Sequence, residues 1–223
     1  MRGGGKMKRI LFALIAIFTM CINCHAMEKS VTKYYETTYL YDIPITKEIT
    51  ENTYNSSDIS LLSNDVAQTE YKKVSITTID DLAKVNVAWK RELRVKSFDI
   101  LSMYVVGSGF ITGSISGTQL ASTSNGVKNY SYLATTKNTK IFSNGFGISM
   151  NLADAGNSFN LSMIAKFNSD AKGKKLIASY RHAVRNISLS TSQKYNLTNG
   201  SIKFSTDSLN SNYDSELSVD VII

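Results

Sequence analysis

The chain holds two histidines, His25 and His182. His182 stands in Ser179-Tyr180-Arg181-His182-Ala183, where an imidazole can act as a general base or as a contact that changes charge near neutrality. A Ser-His-Asp arrangement also needs a carboxylate and an exposed hydroxyl, and no serine here sits in a strand-to-helix elbow sequence. His182 therefore reads as a hydrogen-bonded strand histidine, and no catalytic residue is assigned. Carboxylates such as Asp80-Asp81, Asp154, Asp170, Asp207, Asp214-Ser215-Glu216 and Asp220 are scattered. A glycosidase needs two that converge, which chain positions alone do not supply. On a strand, Asp214 and Glu216 would share one face and could hold calcium with loop carbonyls, but no EF-hand or Gly-Asp repeat accompanies them. They read as a turn or edge-strand pair, and no metal ligand is assigned. Lys172-Gly173-Lys174-Lys175 lacks the glycines and following helix of a phosphate loop, and reads as a solvated turn.

Binding chemistry has better candidates. Tyr34, Tyr35, Tyr39 and Tyr41 crowd one short stretch, and a tyrosine ring with a polar tip suits sugar-binding faces and interfaces. Tyr35, Tyr39 and Tyr41 also share a strand parity, which would turn them inward to pack. Arg91, Arg94 and Lys96 beside Trp89 could form a cation and aromatic patch for an anionic polymer, or serve as edge charges that discourage sheet-to-sheet pairing. Tyr39, Tyr41, Arg91 and Arg94 are the expected binding residues.

Strands must position these groups. Apolar residues mostly alternate with polar ones and do not recur every three or four positions, which is the strand period. Val85, Val87 and Trp89 share one face. Expected strands continue over 98–106, 110–117, 127–136, 146–150, 157–167, 176–186, 195–204 and 213–222, with turns at Asn125-Gly126 and Asn144-Gly145. One short helix is expected over Ser56 to Val66. The pattern implies a single all-β domain, an antiparallel β-sandwich of jelly-roll or Greek-key type. Its core would take Trp89, Phe98, Ile100, Phe146, Ile148, Phe159, Leu161, Met163 and Tyr180.

The amino terminus bears on compartment. Arg2, Lys6, Lys8 and Arg9 precede an apolar run from Ile10 to Met20, and Cys24-His25-Ala26 ends on a small residue. This reads as a secretory signal peptide over residues 1–26, cleaved after Ala26, with the domain over 27–223. A lipoprotein acylated at Cys21 or Cys24 is the second reading. Cleavage removes both cysteines, so the exported chain would have no thiol chemistry and no disulfide. It also removes four of 25 basic residues and none of 18 acidic ones, lowering the net charge from +7 to +3. That excludes a nucleic-acid partner as the expectation. No cofactor motif is present.

The segments Trp89-Lys90, Ser97-Phe98-Asp99-Ile100, Gly145 to Leu152, Ser179 to Ala183 and Tyr213-Asp214 resemble those of a loose group of small secreted proteins of Gram-positive bacteria with no assigned function. The resemblance spans about residues 45–223 and implies an exported, β-rich bacterial protein. Residues and resemblance together lead to an exported, non-catalytic protein that binds an extracellular surface or polymer, such as cell envelope or carbohydrate. The alternative is a membrane-active protein. It rests on Gly107 to Thr136, where Phe110, Thr112 and Ser114 alternate with Ile111, Gly113 and Ile115 as in a pore-forming hairpin.

Overall fold

The structure, a computed structural model, describes residues 28–40, 43–57, 69–90, 93–123, 126–152 and 158–223. The segment read as a signal peptide, both cysteines and His25 lie outside the described residues, as do Tyr41 and Arg91. Two antiparallel sheets face each other. The larger runs β2 (Ile43–Ile49), β1 (Lys29–Leu40), β3 (Thr69–Ile79), β4 (Leu82–Trp89), β10 (Ser158–Lys166), β6 (Ser116–Thr123) and β7 (Gly126–Leu133). The smaller runs β14 (Leu217–Ile222), β11 (Lys175–Arg181), β5 (Phe98–Val105), β9 (Gly145–Asn151) and β8 (Thr139–Phe142). The chain is an all-β sandwich.

Period-two alternation builds the layer between the sheets. On β4, Ala83, Val85, Val87 and Trp89 point inward and are buried. Inward residues of β3 are Glu70, Lys72, Val74, Ile76 and Thr78, so the same parity that buries two aliphatic side chains also carries two charged ones inside. Each fully enclosed large aliphatic side chain stabilises the sandwich by roughly 1.5–3 kcal/mol. The expected core is buried except Phe98, which is half-buried. Tyr35 crosses between layers, its hydroxyl donating to the Ser218 carbonyl of β14 at 2.9 Å.

The smaller sheet is covered on its outer side as well. A hairpin of β12 (Tyr195–Thr198) and β13 (Ser201–Phe204) packs there, and Tyr195, Ile202, Tyr213 and Ala183 form a second core with Ile100 of β5. Burial on both faces explains why β5 is enclosed from Asp99 through Met103 without alternation. Close approach needs Gly147, because a Cβ there would run into the Tyr195 hydroxyl.

Several local expectations are corrected. Residues 195–204 are two strands and not one: Asn199 and Gly200 have φ of +51° and +85°, which suits the tight turn of a hairpin. The stretch 110–117 is not strand until Ser116. Thr112–Ser114 is a 3-10 turn closed by Ser114 N–H on the Ile111 carbonyl at 2.9 Å, so Ile111 is exposed and Ile115 buried. Asn144-Gly145 is displaced by one: Phe142 pairs with Gly145, leaving Ser143 and Asn144 as the turn. Gly145 serves instead where a Cβ would meet the Met103 carbonyl. A short helix that the sequence pattern did not indicate, α1 (Glu51–Ser56), is capped by Thr50, which accepts the Thr53 N–H at 3.2 Å. Of the expected helix over Ser56 to Val66, residues 58–66 lie outside the described residues. Strand β11 stops at Arg181 and β14 begins at Leu217; just past β11 the His182 and Ala183 N–H groups turn to the Asp214 and Asp99 carboxylates.

Candidate functional site

At one end of the sandwich, inward positions of both sheets carry polar groups. Lys72 from β3 lies opposite Trp89 of β4 in register, with its ammonium 4.5 Å from the indole centroid. It pairs with the Asp214 carboxylate, and both side chains are wholly enclosed. Burying two ions costs several kcal/mol each, which close pairing and the indole face offset. The other oxygen of Asp214 accepts the His182 N–H at 3.0 Å, and Asp214 N–H donates to the His182 carbonyl at 2.9 Å.

His182 follows β11, buried, its ring 4.7 Å from that of Trp89. Nδ1 donates to Asp99 of β5 at 2.9 Å. The Asp99 carboxylate also accepts the Tyr180 hydroxyl and the Ala183 N–H, the latter at 2.9 Å. Burial pulls the imidazole pKa down, and the Asp99 charge and hydrogen bond outweigh it, so the net displacement is upward. The Tyr180 hydroxyl is held well above its usual range by burial and then by the Asp99 charge. His182 thus has the orienting carboxylate that its neighbouring sequence did not reveal.

Glu70 closes the cluster. It accepts the Tyr39 hydroxyl at 2.9 Å and the Arg94 N–H at 3.0 Å. Burial, followed by the Glu70 charge, pushes the Tyr39 hydroxyl pKa upward. Two of the four expected binding residues are thereby brought together: the Arg94 guanidinium lies 4.9 Å from the Tyr39 ring centroid. Tyr39 is corrected in role, because at 4% exposure it presents almost no surface. Its parity with Tyr35 turns it inward, and it supports Arg94 from below. Trp89 likewise takes its cation from inside, from Lys72, and is no surface platform.

Above this buried layer opens a cleft of about 710 Å³. Arg94, from the segment before β5, and Arg181 and Arg185, from the end of β11 and the loop after it, line it, with Ile43, Pro44, Val95 and Val184 as apolar wall and Asp214 and Glu216 beside them. Arg181 is held by its Nη1 donating to Asn210 at 2.7 Å and by Glu216, 3.7 Å from Nε. Arg185 is exposed and has no ion pair among the described residues. Arg181 and Arg185, four positions apart, were missed in sequence because only the folded chain brings their segment up to Arg94. Asp214 and Glu216, read as a turn or edge pair, instead take Lys72 and Arg181. Among the described residues no three of His, Cys, Asp and Glu cluster closely enough to hold a metal ion. Lys172 to Lys175 form the expected turn, with Gly173 at φ +79° and Lys174 bonded to Asp170 at 2.9 Å.

No protein-family model matches the chain, and no curated protein matches it. Among solved structures it is similar to the collagen-binding domain of a Staphylococcus aureus adhesin, at 11% identity and a TM-score of 0.29, over 46% of this chain and 75% of that one. It is also similar to the KRT10-binding region domain of the pneumococcal serine-rich repeat protein PsrP, at 13% identity and a TM-score of 0.30, over 69% of this chain and 87% of that one.

Proposed function

We propose that the chain is an exported, non-catalytic binding protein whose arginine-lined cleft takes an anionic group of an extracellular surface or polymer. The observation that carries this reading is the convergence of Arg94, Arg181 and Arg185 on one cleft. A guanidinium offers a planar fork of donors that matches carboxylate, sulfate or phosphate two bonds at a time. The apolar wall suits the backbone of a polymer that carries such groups. The acid-base residues support the non-catalytic reading by their position. His182, Asp99 and Lys72 are sealed at 0% exposure, so a substrate atom cannot reach them.

The membrane-active alternative has less support. The β6–β7 hairpin is built into the larger sheet, with Ala121 and Tyr132 in the core and the Tyr132 hydroxyl on Gln119 at 3.0 Å. Releasing it would expose core.

Binding of the exported chain to immobilised sulfated, carboxylated and neutral polysaccharides, and to whole cell wall, tests the proposal. Retention on the anionic supports alone, weakening as salt rises, is the expected result. Arg185→Ala with Arg94→Ala should lower affinity at least tenfold. Equal retention on neutral polymer, or no change in the double variant, would overturn it, and dye release from liposomes would favour the alternative.

A further inference from the structure

We propose that Lys72 and Asp214 condense into an intramolecular amide, a covalent cross-link between β3 of the larger sheet and the segment that enters β14 of the smaller one. The proposal rests on their placement and is independent of what the cleft binds.

Four features of the site favour the reaction. Both side chains are wholly enclosed, so bulk water does not compete for either. Among the described residues Lys72 has no ion pair but Asp214. The carboxylate is oriented: one oxygen is held by His182 N–H at 3.0 Å while the other meets Nζ, and the reciprocal Asp214 N–H to His182 carbonyl bond, at 2.9 Å, fixes the backbone. Lys72 is pressed against the Trp89 indole and has little freedom to withdraw. Such fixed pairs reach effective concentrations on the order of 10⁵–10⁸ M. The driving force comes from the same burial. Two ions in an enclosed site cost several kcal/mol each, whereas an amide carries no charge.

The step balances within the pair. A proton moves from Nζ to Oδ2, cancelling both charges. The Nζ lone pair then forms a bond to Cγ, and the electron pair of the C=O bond collects on Oδ1, which faces the His182 N–H as an oxyanion faces its donor. Nitrogen passes a second proton to the Oδ2 hydroxyl. The Cγ–Oδ2 bond breaks, the C=Oδ1 bond re-forms and one water leaves. Nothing is oxidised or reduced. Asp214 borders the cleft, which provides the exit for that water.

Intact-mass measurement of the purified, denatured exported chain tests this directly. A mass one water below that of its sequence, counted from its observed first residue, is expected, together with a branched peptide joining Lys72 and Asp214 after proteolysis. Lys72→Met should have the full mass of its sequence. Asp214→Asn should lose ammonia instead of water and reach the same mass as the cross-linked wild type. A wild-type chain of full mass, with the two peptides recovered separately, overturns the proposal, and that measurement does not depend on any variant folding.

Discussion

His182 Nδ1 lies 2.9 Å from Oδ1 of Asp99, 83 positions earlier in the chain, and neither side chain has any contact with solvent. The pair joins the end of β11 to the neighbouring strand β5 and carries the Tyr180 hydroxyl and Ala183 N–H on the same carboxylate.

The pH dependence of stability follows from its sign. Burial lowers the His182 pKa, but Asp99 raises it by more, so the folded value lies above the unfolded one. The native state therefore binds the proton more tightly. Its stabilising contribution is complete below about 6.5 and is lost as pH rises through the folded value. Thermal unfolding of wild type and His182→Asn from mildly acidic to alkaline pH should show a gap in Tm that narrows upward. A gap that is constant, or that widens with pH, contradicts the assignment.

Asp99→Asn removes the charge that His182, Tyr180 and Ala183 N–H all address. Breaking a buried pair by removing one partner costs roughly 3–5 kcal/mol. Asp220→Asn, at the exposed pair with Lys175, should cost about 0–1 kcal/mol. Urea unfolding of both variants checks the contrast.

Trp89 is 4% exposed and touches Lys72, Tyr180 and His182. Trp89→Ala should lower stability by roughly 3–5 kcal/mol. Native emission should be that of an enclosed indole, shifting to the red on unfolding. Emission already red-shifted in the native protein would place the side chain outside.

Gly147→Ala puts a methyl group into the Tyr195 hydroxyl, which is itself buried without a hydrogen-bond partner. Overpacking of this kind costs roughly 1–3 kcal/mol. Tyr195→Phe removes the obstructing atom and a polar group without a partner, so it should be near neutral alone and should recover much of the loss in the double variant. A double-mutant cycle with no coupling would show that the β12–β13 hairpin does not sit on β9 as described.

The elements that carry a strong period of two were legible in the sequence. Val85, Val87 and Trp89 share a face in the chain and in the fold, and the inward parity of Tyr35 and Tyr39 likewise holds. Side-chain alternation along a strand is local geometry, decided within a few residues, so it survives in the linear order. Strand β3 carries a further signal: Glu70 and Lys72 stand in phase with Val74 and Ile76. Charged residues in the inward phase of an apolar strand announce a buried polar cluster, though not its members.

Those members were decided by the tertiary structure alone. Lys72 meets Asp214 across 142 positions, His182 meets Asp99 across 83, and Arg94 joins Arg181 and Arg185 on one cleft from a separate segment. Alternation says which face a side chain takes but not which strand lies opposite, because that depends on strand order and on how the two sheets stack. A buried charge finds its partner only after both layers have closed over it, and the physical demand that it be paired is then met by whichever residue the topology has carried there.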